Sequence, residues 1–310
     1  MLEIVSVTLP YFALILCGYV ARGTGVMVEG SAKALNGFVL YFALPAMMIR
    51  AIGAIPFQDV LNVEFAIAWA VISIALFAGV IAVSMLLFRE GGAAATVRAA
   101  ASSHGNIGYL GLTLVIGLMG EVAAGPVAMA IVFDMMILIP VSIALLEFFG
   151  KETGGGLAQT LRAAVLNPFV VSIVAGLGLS LSGATLPGPA DDFLRILGMA
   201  AVPAALFAIG VTLYAQPMRA AAGELTAICL VKLLLHPLVV IMVATSEIFD
   251  LSREEVAIAV LLSALPVANN VFLVATRYDV RPNRISGAIL FSTSLALITF
   301  NLWAWLLLTE

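Results

Sequence analysis

The sequence predicts an all-α, polytopic membrane protein: one transmembrane domain over residues 1–310, with ten helices in a 5+5 inverted repeat and crossed, broken helices 4 and 9. Three observations predict it. The composition is 63% hydrophobic and 10% charged, with mean hydropathy +1.17, whereas soluble domains carry roughly a quarter charged residues. Ten apolar runs are each about long enough for the roughly 20 residues a bilayer-crossing helix needs. Two of those runs are interrupted at corresponding places in the two halves, the usual pointer to a secondary transporter's binding site.

A lipid-embedded bundle needs no separate soluble core, and no polar stretch is long enough to form a second domain. The net charge of −4 and the scattered Lys and Arg provide no basic tract for nucleic acid. Cys17 and Cys229 fall inside apolar runs and are expected to pack as small hydrophobes rather than form a disulfide. Met1-Leu2-Glu3-Ile4 lacks a basic n-region, so the first run is expected to be retained as a span.

The runs are roughly 3–22, 32–52, 62–88, 97–119, 123–149, 163–182, 191–215, 222–247, 254–277 and 282–308. Orientation follows from loop Lys and Arg. With the N-terminus outside, Arg22, Lys33, Arg89, Arg98, Lys151, Arg162, Arg219, Arg277, Arg281 and Arg284 are cytoplasmic, against Arg50, Arg195 and Arg253 outside. Both termini then lie outside the cytoplasm, and the Gly-rich linker Lys151-Glu152-Thr153-Gly154-Gly155-Gly156 lies inside. The linker divides the spans into halves of about 1–150 and 157–310. At the separation that brings Pro10 onto Pro168, Gly18 falls on Gly176, Gly25 on Gly183, Ala43 on Ala201 and Pro45 on Pro203, which reads either as an internal repeat or as coincidence among common membrane residues. Five is odd, so the second copy must be inverted.

Leu265-Pro266-Val267-Ala268-Asn269-Asn270 interrupts the ninth span, because proline removes a ladder hydrogen bond where lipid cannot replace it. Ser102-Ser103-His104-Gly105-Asn106-Ile107-Gly108 interrupts the fourth. The two breaks are expected to face each other at the membrane midplane. A helix restarting after a break presents free N–H groups and the positive end of its dipole. Restarts near Asn106–Gly108 and Ala268–Asn270, with the amides of Asn106, Asn269 and Asn270, would form a pocket suited to a carboxylate. The alternative is that these amides only satisfy carbonyls freed at the kinks.

Asp134 lies about 11 residues, or roughly 16 Å, into the fifth span, near the midplane. Lys232 and His236 share a face of the eighth span, and Pro237 loosens the backbone there. Isolated charges at this depth cost at least about 2.5–3.5 kcal/mol, so partners are expected. Asp134 and Lys232 either pair and take part in ion coupling, or form a buried structural pair, or Lys232 snorkels toward the cytoplasm. His104 either titrates near neutrality or fills hydrogen bonds at the kink. Glu147 is expected at the interface, and Arg277, Arg281 and Arg284 at the inner face. No Cys/His metal spacing, P-loop or Gly-x-Ser-x-Gly motif is present, so no metal, cofactor or enzymatic chemistry is expected.

Several segments resemble the auxin efflux carrier family: Pro10-Tyr11-Phe12 with Cys17-Gly18-Tyr19, Leu40-Tyr41-Phe42-Ala43-Leu44-Pro45-Ala46, Gly105-Asn106-Ile107-Gly108-Tyr109, Lys232-Leu233 with His236-Pro237, and Leu265-Pro266-Val267-Ala268-Asn269-Asn270. The resemblance covers nearly the whole chain. It implies a scaffold of spans 1, 2, 6 and 7 and a transport domain of spans 3, 4, 5, 8, 9 and 10. The fourth and ninth spans would cross at their breaks, as in bile acid:sodium symporters and sodium/proton antiporters. In some of those antiporters an Asp and a Lys at the places of Asp134 and Lys232 work as a pair. The central loop is shorter than in the plant carriers, and the fourth span relies on Gly105 and Gly108 where they have a proline, so the chain resembles the bacterial malonate and organic-acid members.

The expected function is secondary transport of a small organic anion, malonate-like, by alternating access in a bacterial inner membrane. H⁺ and Na⁺ remain open as coupling ions, and a homodimer as an alternative to a monomer. A sodium/proton antiporter or sodium symporter of the same architecture is the first rival, and a membrane sensor or channel the second.

Overall fold

The computed structural model describes residues 2–28, 30–54, 62–149, 162, 165–166, 168–214 and 222–308. The linker 151–156 and Arg219, used above for topology, lie outside the described residues. Regular structure among the described residues is helical throughout: α1 Leu2–Gly23, α2 Ser31–Gly53 and α3 Val63–Leu86, α4 Gly92–Ser103, α5 Ile107–Met119 and α6 Glu121–Phe149, α7 Pro168–Ser182, α8 Gly188–Tyr214 and α9 Gly223–Ala244, α10 Arg253–Ser263, α11 Asn269–Arg277 and α12 Pro282–Leu308. Six of them, α2, α3, α6, α8, α9 and α12, are long and apolar enough to cross a membrane.

Local chemistry sets several helix ends. Asn62 caps α3 by accepting from the Phe65 N–H at 2.9 Å. Ser252 and Glu255 form a reciprocal capping box at the start of α10. Inside the helices, three π-helical turns each precede a proline: Val39–Ala43 before Pro45, Asp134–Leu138 before Pro140, and Val231–Leu235 before Pro237. Proline cannot donate and its ring crowds the carbonyl four residues earlier, so the preceding turn widens. In α9 the crowded carbonyl is that of Leu233, which accepts from the Trp303 indole Nε1 at 3.0 Å.

Lipid tails are as apolar as leucine, so helices embedded in them associate through close packing at small residues. The backbones of α1 and α8 nearly touch. A Cβ on Gly18 would sit 2.0 Å from the Phe207 carbonyl oxygen, and one on Gly210 would sit 1.9 Å from that of Ile15. α7 packs on α2 through glycines that receive side chains, Gly176 against Ile52 and Gly53 against Leu179. Leu16, Phe42, Val171 and Ile298 point outward, which suits an apolar surround. The interior is centred on α4 and α10, where Val256 to Ser263 is buried without interruption.

Candidate functional site

Both interrupted spans are broken, and the breaks meet. α4 stops at Ser103, His104 is extended (φ −78°, ψ 114°), and α5 restarts at Ile107. α10 stops at Ser263, Ala268 is extended (φ −73°, ψ 140°), and α11 restarts at Asn269. Gly105 and Val267 form an antiparallel bridge. The Asn106 N–H donates to the Pro266 carbonyl at 2.9 Å and the Ala268 N–H to that of His104 at 3.1 Å. Each break thereby supplies partners for groups the other has freed, which lipid cannot do. Ser292 of α12 accepts from the Val267 N–H at 3.1 Å.

Position 105 is closely packed. A Cβ there would lie 3.1 Å from the Leu262 carbonyl oxygen and 3.4 Å from Lys232 Nζ. Gly108, expected to share the break with it, is already inside α5, and a Cβ on it would meet nothing within 4 Å. Of the two glycines, only Gly105 lies against a neighbour closely enough to resist a side chain.

Neither restart carries a side-chain cap, so the first N–H groups of α5 and α11 have no side chain bound to them. Asn106 is buried and Asn269 half-buried. The Asn270 Oδ1 is buried and has no hydrogen-bond partner among the described residues. An anion here would meet two dipole N-termini and, after a flip of the amide, the Nδ2 donors of Asn270.

The opposite ends of the broken helices converge on a cation. Lys232 is fully buried, and its Nζ donates to the Ser263 carbonyl, at the last residue of α10, at 2.5 Å. It also donates to His236 Nδ1 at 3.3 Å. A cation at a helix C-terminus is where the dipole favours it. The snorkelling alternative for Lys232 is thus excluded: the ammonium stays inside. Asp134, also buried, interacts electrostatically with Lys232, but among the described residues no hydrogen bond or ion pair joins the two. The Trp69 indole faces the same carboxylate without closing a hydrogen bond.

His104 and His236 are oriented differently. His104 Nδ1 lies 3.0 Å from the Ala100 carbonyl, so Nδ1 carries the proton and donates to it. His236 accepts from Lys232 through Nδ1, so its own unpartnered Nε2 carries the proton. The Phe77 ring stands edge-on to His104, and the Trp69 ring lies beside His236.

A second charged cluster holds the end of the bundle where α4, α9 and α12 begin. Glu90 takes Arg98 at 2.7 Å and Arg281 at 2.6 Å, while Glu224 takes Arg98 at 3.3 Å, Arg281 at 2.8 Å and also Arg284. Burial acts to lower the pKa of the Arg281 guanidinium, but the two carboxylates outweigh it, so it is held above its ordinary value. Arg281 adopts a left-handed backbone (φ 53°) to reach them. Glu147, expected at the interface, accepts from Tyr278 Oη at 3.0 Å.

Sequence reasoning did not single out Trp69, Ser292 or Glu224. Ser292, a hydroxyl midway along an apolar run, was the available signal. Trp69 carried none.

The family model described as "Membrane transport protein" matches residues 4–304. The chain is 34% identical over 305 residues to a Rhizobium meliloti (strain 1021) protein named "Putative malonate transporter", covering 96% of this chain and 94% of that one. It is 26% identical over 309 residues to "Uncharacterized transporter YfdV" of Escherichia coli (strain K12), covering 95% of each. With the "Lysosomal cholesterol signaling protein" of Mus musculus the identity is 24% over 327 residues, 96% of this chain but 37% of that one.

Proposed function

Because the chain belongs to the membrane transport protein family, that of the auxin efflux carriers, we propose that this membrane transporter moves a small organic anion by alternating access. The observation that carries the reading is the pair of uncapped helix restarts, α5 and α11, held together by the Asn106-to-Pro266 and Ala268-to-His104 backbone bonds. The anion binds at these N-termini, against Asn106, Gly108, Pro266, Asn269 and Asn270. The malonate named for the Rhizobium relative makes a small mono- or dicarboxylate the substrate class.

The proposed architecture is ten spans in two inverted repeats, with α4 and α5 as the halves of span 4 and α10 and α11 as those of span 9. The glycine contacts support it. Gly18 and Gly176, equivalent in the internal repeat, each sit at a close helix contact, one between spans 1 and 7 and the other between spans 6 and 2. Those four spans form the scaffold against which the others move. The distribution of arginine supports termini outside the cytoplasm of a bacterial inner membrane.

A second reading, ion coupling through Asp134, Lys232, His236 and His104, is favoured by the burial of all four beside the crossing. Exchanging Na⁺ for K⁺ and imposing a pH gradient on proteoliposomes separates a coupled carrier from an uncoupled one. Saturable flux with counterflow distinguishes a carrier from a channel. The site itself is tested by a thermal-shift screen of mono- and dicarboxylates on the purified protein and on Asn270→Ala, since a ligand stabilises the state it binds. A stabilising acid whose effect vanishes in the variant is expected; an unchanged shift moves the site away from α11.

A further inference from the structure

Where α2 and α7 end and α8 begins, a cavity of about 1220 Å³ opens toward the turn between α5 and α6. It lies at the other end of α5 from the crossing. Two guanidiniums, Arg50 and Arg195, line it together with the carboxylates of Glu121 and Asp191.

Arg50 meets Asp191 through two roughly parallel contacts, Nε to Oδ1 at 2.7 Å and Nη2 to Oδ2 at 3.4 Å. This is the fork by which a guanidinium recognises a free carboxylate. Arg195 holds one oxygen of Asp192 at 2.9 and 3.3 Å. Asp191 and Arg195 stand four residues apart on one face of α8, and both line the cavity.

Both pairs are exposed, with side-chain accessibilities of 42% and 37% for Arg50 and Asp191, and 43% and 63% for Arg195 and Asp192. Pairs this exposed contribute little to stability, so exchanging one carboxylate for another costs little. The frame beneath them is tight: a Cβ on Gly53 would sit 2.5 Å from Leu179, and one on Gly198 3.1 Å from the Met47 backbone. Glu121 and Asp192 also lie within electrostatic reach of Arg50, which keeps any anion held there weakly bound and able to leave.

Resting on the transporter reading above, we propose that Arg50 and Arg195 form a docking site for a small dicarboxylate at this vestibule, ahead of the crossing. In the ligand-free protein Asp191 holds the Arg50 guanidinium in the place that a ligand carboxylate takes.

The test is uptake of malonate and acetate by proteoliposomes. Arg50→Gln is expected to raise the half-saturating malonate concentration a few-fold, up to about fivefold, the scale of one exposed ion pair, with the maximal rate retained. Asp191→Asn frees Arg50 and is expected to lower it. Arg195→Gln is expected to raise it for malonate but not for acetate, which has one carboxylate. A merely structural ion pair would make Arg50→Gln and Asp191→Asn act in the same direction or not at all, and either result overturns the docking site. Should Arg50→Gln fail to fold, the sign of the Asp191→Asn change decides alone. Uptake lost in Asn270→Ala but unaltered in the vestibule variants overturns docking and leaves the crossing site standing, whereas no uptake of either acid by the parent chain overturns both.

Discussion

Lys232 Nζ lies 2.5 Å from the carbonyl oxygen of Ser263. A buried ammonium thus closes the C-terminal end of one broken helix and lies beside Gly105, just beyond the end of the other. Negative helix ends meet a fixed cation, while the positive ends at Ile107 and Asn269 are left without side-chain caps. That asymmetry is the electrostatic ground for the anion site proposed at the crossing.

Lys232→Met keeps the length of the side chain but leaves the Ser263 carbonyl buried and unpaired. Leaving such a group unsatisfied costs about 1–3 kcal/mol. A lower melting temperature in detergent is expected; an unaltered one would mean that water replaces the ammonium.

Glycine-to-alanine changes should differ in sign by position. Gly210→Ala forces a methyl into the Ile15 carbonyl, and overpacking of this kind costs about 1–3 kcal/mol. Gly178→Ala, in α7 with open space around it, should stabilise by about 0.5–1 kcal/mol through helix propensity. Parallel melts of the two variants check the contrast, and equal effects would refute the close contact between α1 and α8.

Asn270→Asp places a negative charge at the α11 restart. If the pocket takes carboxylates, this variant should lose ligand-induced stabilisation more completely than Asn270→Ala, because like charges repel in addition to the lost donor. Undiminished stabilisation of the Asp variant by the acid would count against carboxylate binding at this restart.

Glu224→Gln removes the charge shared by Arg98, Arg281 and Arg284. Because Glu224 is only 8% exposed, the loss should exceed the roughly 0–1 kcal/mol typical of surface pairs and persist in high salt, which screens buried pairs least. Asp192→Asn, at an exposed pair, serves as the control and should barely move the melting temperature. Similar shifts for the two would count against a buried clamp.

The ninth-span break was legible because its cause is covalent: Pro266 has no N–H, and no neighbour can restore one. The limits of α12 were legible for the same kind of reason, with the apolar run expected at 282–308 matching Pro282–Leu308. The fourth-span break was only half legible. Gly105 and Gly108 look alike in the sequence, and only the approach of the Leu262 carbonyl distinguishes them.

By itself the sequence determined that the chain is a multi-helix membrane protein, which residues lie deep in it, and where two spans must break, because hydropathy and proline act locally. The tertiary structure alone decided partners. Spacing puts Lys232 and His236 on one helix face, but only the distances between helices assign the ammonium to the Ser263 carbonyl rather than to Asp134. They likewise pair Asn106 with Pro266 and gather Arg98, Arg281 and Arg284 onto Glu224. Periodicity sets the face a side chain occupies, and the neighbour it meets there depends on how separate helices pack.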